Sequence, residues 1–163
     1  MEYTVTKLDA AVHQLDWAVK LLLDHQEYIP AITLAGAAEE ILGQIVGDQA
    51  VFNQLKSKFS VEFGIPDKVV SQAFLNKTRN WLKHWQNLRD EETLTVDLEG
   101  EAVQYIVRGI TNLVLHSSSL PSEGPRFFAW LALHRERLSL DASNPSFEPT
   151  DTVKPASPAQ LER

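Results

Sequence analysis

Two apolar stripes recurring at three- and four-residue steps commit this chain to helices. One is formed by Leu8, Ala11, Val12, Leu15, Ala18, Val19 and Leu22, the other by Val103, Ile106, Val107, Ile110, Leu113 and Val114. Such spacing collects apolar side chains on one face of a 3.6-residue helix. No segment alternates with the period of two that a half-buried strand requires. Thr6 and Asp9 make a capping-box pattern ahead of the first stripe, so a helix is expected over residues 7 to 24. Pro30 suits the first turn of a second helix marked by Leu34, Ala38, Ile41, Leu42 and Ile45, with Gly47 as its stop. A short third segment is expected over 50–58. Phe63-Gly64-Ile65-Pro66-Asp67 reads as a turn, after which Val70, Phe74, Trp81, Trp85 and Leu88 mark a fourth helix ending near Asn87. Asp90-Glu91-Glu92 forms a loop before the second long stripe, and a last helix is expected over Arg126 to Leu138. The fold class is therefore all-α, an antiparallel bundle of about five or six helices. Its expected core includes Leu15, Leu22, Leu34, Ile41, Trp81, Val107 and Leu113. Gly36 and Gly43 lie on the other side of the second helix, as small residues that admit a close neighbour.

The chain has 163 residues, the size of one domain, and residues 1–140 carry all of these patterns. Over 141–163 the composition turns to Pro145, Pro149, Pro155 and Pro158 among serine, threonine and alanine, the signature of a disordered tail. There is no cysteine, which excludes disulfides, thiolate nucleophiles and cysteine-ligated metals. No Glu-x-x-His or His-Glu-x-x-His spacing links His13, His25, His116 or His134, so no metal site and no cofactor is expected. The N-terminus lacks a signal-peptide pattern. The longest near-continuous apolar stretch, Phe127 to Leu133, is too short to span a bilayer, so a soluble cytoplasmic protein is expected.

A net charge of −7 argues against a broad grip on nucleic acid, yet Lys68 to Arg89 holds five basic residues and no carboxylate. Within that window Lys77, Arg79, Asn80, Lys83 and His84 share one amphipathic segment with Trp81 and Trp85. Histidine and arginine can supply the acid or base and the charge stabilisation that breaking a phosphodiester without a metal needs. His84 would serve as acid or base, Arg79 would hold the phosphate with its planar fork, and Asn80, four residues before His84, would orient the imidazole. Lys77 and Lys83 would add positive potential for substrate binding.

The pattern Arg79-Asn80-x-x-x-His84 in an all-α domain of this size resembles the Arg-x(4–6)-His motif of HEPN domains, with the likeness covering roughly residues 7 to 138. The resemblance implies a HEPN-like bundle that works as a homodimer on RNA, as a metal-independent endoribonuclease of a toxin–antitoxin, defence or RNA-processing system. Its implied protein partner is an antitoxin or a nucleotidyltransferase-like protein. Many members of the family are non-catalytic, which leaves a helical dimer serving as a protein-interaction module as the alternative.

Helix geometry sets a condition on the catalytic reading. Five residues rotate about 500° along a regular helix, so Arg79 and His84 point about 140° apart. A shared site then needs an interrupted helix, long side chains curling round an end, or a second copy across a two-fold axis. Two roles stand for Arg79, phosphate binding or an ion pair with Glu39 or Glu40 of the second helix. The tryptophans are expected in the core rather than as a stacking platform.

Overall fold

The Thr6 side chain accepts from the Asp9 amide at 3.0 Å while the Asp9 carboxylate accepts from the Thr6 amide at 3.1 Å, closing the capping box that starts the bundle. In the computed structural model, which describes residues 2–84, 92–136 and 138, helix α1 then runs over Lys7–Lys20 and continues as a π-helical turn, Leu21–His25. Helix α2 spans Tyr28–Val46 and ends at Gly47, whose φ of 62° requires a residue without a Cβ. Helix α3 covers Val51–Phe63 and closes on Gly64. The short helix α4, Asp67–Val69, passes into a second π-helical turn, Val70–Leu75, and α5 follows over Lys77–Lys83. Helix α6 is Leu98–Ser117, capped by Asp97, and α7 is Gly124–His134. No strand occurs among the described residues, and the fold is an all-α bundle.

The centre of the bundle is α2, packed most extensively against α6 and α1. By length and composition Tyr28–Gln49 could cross a membrane, though Glu39 and Glu40 interrupt its apolar run. Here the inner face of α2 buries Ala31, Ile32, Ala35, Gly36, Ala38 and Leu42 against the other two helices. Leu15, Leu22 and Leu113 are core residues as expected, joined by Tyr105, Ile106, Ile110 and Phe127. Leu34, Ile41 and Val107 pack only at the core's edge. Trp81 is not in the core at all, being 38% exposed.

The cause of that last difference is a broken helix. The segment expected to run unbroken to Asn87 stops at Leu75, restarts at Lys77 and ends at Lys83, with Asn76 at φ −125°, ψ 8° between the two pieces. Restarting the helix resets its faces, so Thr78 is buried, Leu82 packs against the core and Trp81 turns outward. His84 leaves α5 in an extended conformation, φ −130°, ψ 128°. Trp85, Asn87 and Leu88, and the tail over 141–163, lie outside the described residues.

At the α1–α6 crossing a Cβ on Gly109 would stand 2.7 Å from Cδ2 of Leu15, itself fully buried. The leucine is fully buried, so any shift of its side chain disturbs its packing neighbours. Gly109→Ala is therefore expected to lower the unfolding free energy by about 1–3 kcal/mol, the usual penalty for overpacking. Chemical denaturation checks this, and an unchanged or raised midpoint would contradict it.

Candidate functional site

Where α5 crosses α2, the absence of a side chain at Gly36 lets the Arg79 stem lie against the α2 backbone. A Cβ at that position would lie 2.6 Å from Cδ of Arg79. The guanidinium donates through Nη1 to the Gly36 carbonyl at 3.2 Å and stands 3.4 Å from Glu40 and 3.8 Å from Glu39. The close neighbours that Gly36 and Gly43 admit belong to this chain. Gly36 is buried against Arg79, and Gly43 faces Asn112 and Ala50 of the same chain.

Glu39 is the centre of the arrangement. Its side chain is 5% exposed, and Arg108 of α6 approaches from the other side, Nε lying 3.9 Å from Oε1. Arg108 in turn stacks over the Tyr105 ring at 4.2 Å and donates through Nη1 to the Leu75 carbonyl at 3.2 Å. The Tyr105 hydroxyl donates to the same carbonyl at 3.0 Å. In an uninterrupted helix that oxygen would accept from the amide four residues on. Two side chains of α6 thus hold the carbonyl at the very point where α4 and α5 part. Asn112 extends the network, its amide nitrogen reaching the Glu39 carbonyl at 3.5 Å and its oxygen accepting from the Val51 amide at 3.0 Å at the start of α3.

Burial pushes the Glu39 carboxyl above its ordinary value, and the Arg108 and Arg79 guanidiniums pull it back only in part. The long ion-pair distances are consistent with that balance, because a carboxylate removed from water regains its solvation only through close, well-aligned donors. The adjacent Glu40 is more than half exposed, as two successive helical positions require. On the opposite side of α5 the Glu101 carboxyl is also raised by burial, although it accepts a hydrogen bond from Thr78.

The residues of the Arg-x4-His pattern are therefore divided. Arg79 faces inward, its side chain 16% exposed, toward two carboxylates and a carbonyl. Asn80 is half-buried, and its carbonyl accepts from the His84 amide at 3.0 Å, a backbone contact that closes α5. Lys77, Lys83 and His84 are exposed. Among the described residues no group of three or more histidines and carboxylates is placed to hold a metal ion. The sequence reading missed Arg108, Tyr105 and Asn112 altogether. A usable signal was present, since a charge and an amide at i and i+4 inside an otherwise apolar stripe imply buried polar partners. Comparisons with protein-family models, with curated proteins and with solved structures found no match.

Glu39→Ala is expected to cost about 3–5 kcal/mol at neutral pH, as is usual when one member of a buried charged network is removed and its partners are left unpaired. The pH dependence has a definite sign. A carboxyl raised in the folded state favours folding fully below its unfolded value of 4.5, and that contribution is lost as pH rises through the folded value. The stability of the wild type relative to Glu39→Gln should therefore fall as pH rises above the ordinary value of 4.5 in urea titrations. A difference that grows as pH rises would contradict it.

Proposed function

We propose that this chain is a non-catalytic, HEPN-like interaction module that assembles as a homodimer. The observation that carries the non-catalytic part is the environment of Arg79. A phosphate-binding arginine must present its fork to the ligand, whereas this one is turned toward Glu39 and Glu40, whose charges would repel a phosphate. Its motif partner stands at the open end of α5, beyond the last helical turn. The motif arginine thus serves the fold.

The dimer reading rests on the outer face of α2. Ala37, Ile41 and Ile45 line a shallow apolar groove with Lys7 at one edge and Glu40 and Gln44 along it. Lys7 and Glu40 carry opposite charges on a single face, so two copies related by a two-fold axis can pair each with the other's opposite. An apolar centre with a polar rim is the usual composition of such a contact.

The endoribonuclease reading retains one observation in its favour. Helix α5 carries Lys77 and Lys83 and no carboxylate, and it ends on an exposed His84. For that surface to cleave RNA, an arginine would have to reach His84 from a second copy or Arg79 would have to leave its carboxylates.

Two measurements test the proposal. Light scattering at micromolar concentration is expected to give a dimer, and Ile45→Asp a folded monomer; a monomeric wild type would overturn the assembly. Purified wild-type protein is expected to leave single-stranded and hairpin RNAs intact in EDTA. Metal-free cleavage that yields a 2′,3′-cyclic phosphate and falls about a hundredfold or more in a folded His84→Ala variant would establish the nuclease instead.

A further inference from the structure

Between α3, the π-turn before Asn76, residues Leu94 to Val96 and the start of α6 lies a cavity of about 780 Å³, on the far side of α5 from Glu39. That size falls within the roughly 300–1,000 Å³ typical of small-molecule sites. Three phenylalanines stand in its wall. Phe59 and Phe63 meet edge to face at 5.9 Å between ring centres, and Phe74, 47% exposed, stands opposite on the π-turn. Val96, Ile65, Ala73, Leu75 and Leu94 add apolar lining. One carboxylate enters this wall, that of Glu101, with Thr78 donating a hydrogen bond to it.

The chemistry of that wall selects a ligand. A carboxylate has about four acceptor positions, and a single hydroxyl serves one of them. Glu101 is half-buried, and a carboxylate in that position gains from a charged donor, because an ammonium supplies both the opposite charge and short hydrogen bonds. Phenyl faces in the same cavity favour a cation over an anion for the same electrostatic reason, and they accept a flat apolar body by offset or edge contact. The other charges nearby do not reverse this preference. Arg108 offsets part of the burial of Glu101 but is itself bonded to the Leu75 carbonyl and lies against Glu39, Asp97 adds negative charge on the Glu101 side, and the Lys77 side chain in the lining is exposed, where solvent screens it. We infer that this cavity is a binding site for a small aromatic amine, its ring seated among Phe59, Phe63 and Phe74 and its ammonium on the Glu101 carboxylate.

The site is independent of how the α2 face is used. It also adjoins the break that organises the network, since Leu75 and Thr78 line it from either side of Asn76. A ligand there would touch both halves of the interrupted helix.

The test uses the full chain and 2-phenylethylamine, with 2-phenylethanol and 3-phenylpropionate as neutral and anionic probes of similar shape, followed by calorimetry and amide chemical shifts. The amine is expected to bind saturably, shift the amides of Phe74, Thr78 and Glu101, and bind tighter than either control. Glu101→Gln should weaken the amine about tenfold or more, the scale of one charge-assisted contact, and leave the alcohol unchanged. Phe74→Ala, at a half-exposed position that the core does not depend on, should weaken amine and alcohol together. Absence of saturable binding, an anion that binds as well as the amine, or an amine affinity indifferent to Glu101→Gln in a folded variant would each overturn the assignment.

Discussion

Glu39 is a carboxylate buried in the middle of the bundle's central helix, and the structure around it is arranged to make that tolerable. An isolated buried charge costs several kcal/mol even after relaxation, so the group must draw cations toward it. Arg108 comes from α6 and Arg79 from α5, which places charged contacts on α2 from two other helices. Each approach has its own structural condition. Arg79 needs a glycine at position 36 to lie against the helix, and Arg108 needs the carbonyl of Leu75, which is open to it where the preceding segment breaks. Buried polar networks of this kind specify one arrangement more than they add stability, because any slip leaves a charge unpaired.

That same network decides what the Arg-x4-His pattern can do. On a continuous helix Arg79 and His84 diverge by the rotation of five residues, and the break at Asn76 does not bring them together. It turns Arg79 inward and leaves His84 in extended backbone at the outer end. The chemistry available to the exposed remainder, two lysines and an imidazole, is that of a modest cationic surface. The sequestered arginine, by contrast, is a packing element with charge. Binding functions are then sought on faces the network leaves open, the outer side of α2 and the aromatic cavity beside α3.

How much of this was legible in the sequence depended on how regularly apolar residues recur in each segment. Helices α1 and α6 carry one apolar stripe, so the extent of α1 and the apolar part of both buried faces were readable from Leu8 to Leu22 and from Val103 to Leu113, while the polar part of the α6 face, Arg108 and Asn112, was not. Helix α2 is apolar nearly all round. Its true inner face, Ala31, Ala35, Ala38 and Leu42, was partly hidden behind the larger Leu34, Ile41 and Ile45, because close packing between two neighbouring helices selects small residues. The ion pairing of Arg79 was one of two open roles, and composition had no means of choosing between them. The break at Asn76 carries neither proline nor glycine. It follows from side chains on α6, more than twenty-five residues away in the chain, and so it could not be read locally. Trp81 was misplaced for the same reason, since a continuous stripe through Phe74 and Trp81 exists only if the helix does.

The most direct measurement of the central claim is a double-mutant cycle between Glu39→Gln and Arg79→Met, followed by chemical denaturation with the helical content of all four proteins verified. Residues that share one buried charged network show coupling energies of about 0.5–3 kcal/mol. The account predicts favourable coupling in the upper part of that range, with each single variant less stable than the wild type. Additive effects, or an Arg79→Met variant as stable as the wild type, would show that the arginine is not held by Glu39 and would return it to the surface as a candidate ligand for phosphate.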